Sequence, residues 1–132
     1  MGAIAELTKQ GEVFNDGNDS IVIRRIGASI IGGRTLDLTG FPDKYVRAGH
    51  IIIRETASDT YKPLGVSGGE FGELPSGHEY KGVLVASVPA DAPFAAIMYD
   101  GEVNDLAMPY KLTDAHKTAL KQVLPGLYFI HD

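Results

Sequence analysis

Short apolar runs recur along the chain, separated by breaks of glycine, proline and acidic turn residues. Regular breaks between short runs mark a β-rich domain. Residues 21–26 (IVIRRI) read as a strand bounded by NDGNDS and Gly27. Residues 28–31 form a short run that stops at Gly32-Gly33, and residues 35–38 alternate before TGFP. The strongest strand pattern is 46–54 (VRAGHIIIR), with Gly49 placed for a bulge. Residues 82–88 and 94–99 give two more strands, split by PADAP, whose prolines exclude a strand between them. Residues 127–130 close the chain as a last strand.

One helix interrupts this pattern. Thr113 suits an N-cap, and Asp114 sits in the first turn, where the helix dipole favours a carboxylate. Ala115, Ala119, Leu120, Val123 and Leu124 make an apolar stripe at helical spacing, Lys117 and Lys121 occupy the polar side, and Pro125-Gly126 stops the helix. The expected fold is mainly β, a β-rich α+β chain. It has a small barrel-like or sandwich-like body, this one helix in its C-terminal half, and an N-terminal arm.

The arm is residues 1–20, a weakly helical start followed by the turn cluster GEVFNDGNDS, and the domain is residues 21–132. Residues 65–79 (GVSGGEFGELPSGHE) are glycine-rich and long for a connection inside a compact domain. They are expected on the outside of the body, with few packed side chains and a tolerance of deletion.

Charge and composition narrow the function. The chain carries 17 acidic and 12 basic residues, a net charge of −5, and its longest basic run is Arg24-Arg25. Phosphate contacts supply most nucleic-acid affinity, so direct DNA or RNA binding is not expected. There is no cysteine, which removes disulfides, thiolate nucleophiles and Cys-ligated zinc. The start MGAIAELTKQGEV lacks a basic, then apolar, leader, and no apolar run is long enough to span a bilayer; no membrane partner is expected.

Catalytic chemistry finds little support. GVSGGEFG lacks the Lys of a phosphate loop and continues into Glu73-Leu74-Pro75. His50, His78, His116 and His131 never pair at spacings that share a strand or helix face. A cupin would show two histidines in an H-x-H pair, where GHIIIRE supplies only His50 and Glu55. His50 is therefore expected as a half-buried strand residue, and His116 and His131 as surface residues. DTYKP at 59–63 is a faint likeness of a dUTPase substrate loop. No catalytic residue, metal ligand or cofactor is assigned, and the chain is not expected to be an enzyme.

The second half carries a resemblance. Lys81-Gly82-Val83-Leu84-Val85-Ala86 is followed by an apolar run ending in Tyr99-Asp100-Gly101-Glu102-Val103-Asn104, then Leu106, the helix from Thr113, and Gly126-Leu127-Tyr128-Phe129-Ile130. This order resembles the lambda-type head decoration proteins of tailed bacteriophages and the related head fiber proteins. Gly82, Val83, Leu84, Gly101, Val103, Asn104 and Leu106 hold the motif positions. The likeness spans about residues 45–131 with a gap at the glycine-rich segment, which, like the N-terminal region, has no counterpart in the family pattern.

The resemblance implies a structural virion protein, made in the bacterial host cytoplasm. It would be a homotrimer bound to the major capsid protein on the capsid exterior, without a cofactor. Ile4, Leu7, Val13 and Phe14 give the arm enough apolar character to add along a neighbouring sheet edge as a capsid attachment. The competing reading is that the arm completes the domain's own sheet. The alternative functions are a small carbohydrate- or receptor-binding β module, and a cupin-like or dUTPase-like enzyme.

Overall fold

The computed structural model describes residues 19–131. In chain order its elements are α1 (Asp19–Val22), β1 (Ile23–Ile26), β2 (Arg34–Thr35), β3 (Tyr45–Val46), β4 (Ile51–Glu55), β5 (Thr60–Pro63), β6 (Val66–Ser67), β7 (Glu70–Phe71) and β8 (His78–Leu84). Then follow β9 (Val88–Pro89), β10 (Phe94–Ala95), β11 (Ile97–Met98), β12 (Gly101–Asn104), α2 (Asp114–Val123) and β13 (Leu127–Ile130). The fold is mainly β with a helix in the C-terminal half, as the apolar pattern predicts.

A four-stranded sheet ordered β11-β8-β4-β5 forms the centre. Ile51, Ile52 and Ile53 of β4 are all buried, and they divide between two cores. Ile51 and Ile53 point to the larger core, with Val83, Met98, Val103, Leu120 and Leu127. Ile52 points to the smaller one, with Leu36, Val46, Leu84 and Ile97. A strand covered on both faces has no reason to alternate, which explains the unbroken Ile-Ile-Ile run.

The second sheet is ordered β1-β12-β13, and β13 runs parallel to β12. Parallel neighbours need a crossover, and α2 supplies it. Thr113 caps α2: its Oγ1 accepts from the His116 backbone N–H, and His116 Nδ1 reaches back to the Thr113 backbone N–H. Leu120 is buried beneath the helix and Ala119 and Leu124 pack beside it. Val123, expected in the apolar stripe, is instead 52% exposed, because the stripe drifts off the core at the last turn.

Several strand boundaries differ from the sequence reading. Residues 21–22 belong to the helical turn α1, so the first strand begins at Ile23. The 46–54 run breaks into β3 and β4 around a turn at Gly49, whose φ is +91°. A Cβ on Gly49 would strike the Val22 side chain, so this glycine makes a close approach and not a bulge. The register shift lies on the partner side, where β4 passes from Gly82 to Tyr80. The 82–88 run is the end of β8 plus β9, and 94–99 divides into β10 and β11. Residues 28–31 form no named strand: they contribute the Ser29–Met98 bridge and backbone bonds to Tyr99 and Ile97, and the 35–38 run is a strand only at Thr35, within β2. β5, the hairpin partner of β4, is a strand that the apolar pattern does not mark.

The largest difference is the glycine-rich segment. It contains the hairpin β6–β7, and Phe71 is only 3% exposed in the larger core. Leu74 packs against the same core. A segment of small residues delivers one aromatic anchor inward, so it is part of the body's packing.

Candidate functional site

Of the residues singled out by the family motif, Gly82, Val83 and Gly101 meet Met98 directly, and Val103 shares its core. Gly82 and Gly101 have φ of +155° and +157°. A Cβ on Gly82 would collide with the Met98 carbonyl, and one on Gly101 with the Arg25 carbonyl and the Met98 sulfur. Both glycines are therefore required by close approach as well as by backbone conformation. Val83 and Leu84 enter opposite cores, and Val103 is buried opposite Ile23 and Phe129. Asn104 Oδ1 accepts from the Leu106 backbone N–H at 3.1 Å, shaping the turn after β12. Leu106 itself is exposed. Six of the seven positions thus perform packing or turn work, and only Leu106 is offered to solvent.

The attachment residues Ile4, Leu7, Val13 and Phe14 lie outside the described residues. Of the expected arm, the described residues are Asp19 and Ser20, both in α1. The Asp19 carboxylate accepts from the Ser87 backbone N–H at 2.8 Å and the Ser87 hydroxyl at 2.7 Å. Ser87 Oγ in turn accepts from the Ala48 backbone N–H at 2.8 Å. This chain of bonds fastens α1 to two loops of the body. No local sequence signal marks Ser87, because the contact joins residues 68 positions apart.

A cleft of about 430 Å³ opens beside this network. Phe41, Tyr45 and Tyr110 form aromatic walls, and Asp19, Asp43 and Arg47 supply charge. The Arg47 guanidinium lies over the Tyr45 ring at 4.8 Å.

Behind the cleft sits His50, which is fully buried and not half-buried as its sequence context predicts. Its ring makes edge contacts with Phe41 at 5.4 Å, Phe71 at 4.9 Å and Tyr110 at 5.6 Å. The Leu64 carbonyl can only accept, so His50 Nε2–H donates to it at 2.9 Å. His50 Nδ1 finds no hydrogen-bond partner among the described residues. Burial disfavours the imidazolium and pulls the pKa from 6.5 to about 4, against a smaller opposing effect of the Leu64 bond.

The other histidines have structural partners. His116, expected at the surface, is half-buried and donates from Nε2 to the Gly72 carbonyl at 2.7 Å, tying the cap of α2 to the glycine-rich segment. His131 is exposed and contacts the Asp105 carboxylate at 2.8 Å. Burial alone would raise the Asp105 pKa, but hydrogen bonds from Lys117 and His131 hold it below its ordinary value. Among the described residues, no three His, Asp or Glu side chains converge as a metal site. No helix among them is long and apolar enough to cross a membrane.

Comparison with known protein families, with curated proteins and with solved structures returned no match.

Proposed function

We propose that this chain is a structural virion protein: a homotrimeric decoration or head fiber protein on the outside of a tailed-phage capsid, without a catalytic role. The observation that carries the reading is the assembly of the motif into one unit. The Gly-Val-Leu strand pairs with β11, the Gly-Glu-Val-Asn strand follows directly, and α2 returns the chain as a closing strand parallel to it. Both motif glycines pack against the same methionine. This is the element order that the family likeness implies.

Light scattering tests the assembly, with a mass three times that of the chain expected. Co-sedimentation with expanded capsid shells of a tailed phage tests attachment, for the full chain and for a chain without residues 1–18. Pelleting of the full chain alone supports the arm as the attachment element. A monomer that stays in the supernatant with every shell refutes the reading.

The aromatic cleft favours a second reading, a small carbohydrate- or receptor-binding module. Tyr45 and Tyr110 offer the stacking faces that sugar recognition uses, beside two carboxylates. A glycan array separates the two: saturable binding lost in Tyr110→Ala supports the module.

A further inference from the structure

The aromatic cleft lies where the described chain starts. Asp19, the first described residue, forms part of its wall, and residues 1–18 lead up to that wall from outside the described residues. Asp19 is also held in place by its two bonds from Ser87, at 2.8 and 2.7 Å. The segment immediately before Asp19 is therefore tethered at the cleft.

The walls suit a neutral ring. Phe41 and Tyr110 rest against the buried His50 ring, at centroid distances of 5.4 and 5.6 Å, so they are held from behind. Tyr45 forms a third wall, with the Arg47 guanidinium 4.8 Å from its ring centre. Of the charged lining groups, the Asp19 carboxylate already accepts two bonds from Ser87, and Asp43 and Arg47 carry opposite signs. A further aromatic side chain gains from such walls, because rings attract one another at centroid separations of about 4.5–7 Å.

We propose that the cleft is filled by Phe14 of the same chain, which seats residues 13–18 there and anchors the base of the arm. Three observations select this occupant. The first is chemistry and size. Phe14 is the one aromatic residue in 1–18, and it follows Val13. A phenyl ring fits a cavity of about 150 Å³, so a cleft of about 430 Å³ takes the ring together with an adjoining side chain.

The second is reach. Phe14 precedes Asp19 by five residues, which span up to about 17 Å at ~3.3 Å per residue. Asn15-Asp16-Gly17-Asn18 between them are the residue types that let a chain turn back on itself. The third is competition. A group on so short a tether is present at an effective concentration of about millimolar, which any free ligand has to exceed.

The inference goes beyond the virion reading. It moves Val13 and Phe14 from capsid attachment to anchoring and leaves Ile4 and Leu7 for the outer contact. It competes with the glycan reading, since both occupants need the same cleft.

Nuclear Overhauser contacts in the full chain test the seat directly, with the Phe14 signals identified by their loss in Phe14→Ala. The expected result is contact from the Phe14 ring to the rings of Tyr45, Tyr110 or Phe41. A sample mixed from chains labelled on Phe and chains labelled on Tyr should show no Phe14–Tyr contact, because the seat is within one chain. Amide exchange at residues 13–18 should quicken roughly tenfold in Phe14→Ala and stay unchanged in Leu7→Ala. Amides of Ile52 and Leu84, which lie in the smaller core, report that the fold persists. A Phe14 ring without contact to any of the three rings, or exchange that Phe14→Ala leaves unchanged, overturns the proposal. Contact seen in the mixed sample overturns it in favour of a neighbouring copy's arm. Saturable glycan binding in a cleft free of Phe14 overturns it in favour of a sugar. Co-sedimentation with capsid shells reads the virion reading separately from all of these.

Discussion

Acid should destabilise this protein through His50. The folded imidazole is held neutral with a pKa of about 4, against 6.5 when exposed. Between these values the unfolded chain binds the proton and the folded chain does not. Stability is therefore complete above pH 6.5, falls as the pH drops, and has lost the whole contribution once the pH passes below about 4. At about 1.4 kcal/mol per pH unit, the gap comes to about 3 kcal/mol. Among the described residues no charged side chain offsets this, because the ring is packed by Phe41, Phe71 and Tyr110. The assay is urea unfolding at a series of pH values from 7 to 4, for the native chain and for His50→Gln. Glutamine can still donate to the Leu64 carbonyl but never takes a proton in this range. Asp37 and Asp105, whose pKa values are lowered, also lose stabilisation in acid, but they do so equally in both proteins. The difference between the two curves should shrink by about 3 kcal/mol on going from pH 7 to pH 4. Parallel curves, or a resonance assigned to the His50 imidazole that titrates near 6.5, would refute the reasoning.

Phe71→Ala should cost about 3–5 kcal/mol in chemical denaturation, because it empties a core position between His50 and Tyr110. Deletion of residues 66–77 should fail for the same reason, whereas loss of a mere surface loop would cost about 1 kcal/mol. Gly82→Ala should lower stability by about 2 kcal/mol or more, since the obstruction is the backbone carbonyl of Met98 and cannot move aside; a melting temperature equal to that of the native chain would contradict it. Asp19→Ala should cost about 1–2 kcal/mol through Ser87, seen as faster amide exchange at Ser87 and Ala48.

The helix and its cap, the β-rich class and the closing strand were legible in the residues themselves. The Thr113 cap and the Pro125-Gly126 stop act through neighbours in the chain, and local chemistry of that kind is written in local sequence. The Ile51–Ile53 run likewise declared a strand, though not that it would be central and buried on both faces. Tertiary structure decided the rest. Burial of His50 depends on Phe41, Phe71 and Tyr110 converging from three separate segments, and nothing near GHIIIR announces it. The glycine-rich segment looked external because glycine carries no side chain to bury, yet one phenylalanine within it was enough to commit it to the core. The strand break at Gly49 goes with a contact to a distant element, since a Cβ at position 49 would meet Val22. Which apolar residues stay uncovered was also a tertiary outcome. Ile31 and Ile51 look alike along the chain, and only the pairing of strands leaves the first in solvent and seals the second between two cores.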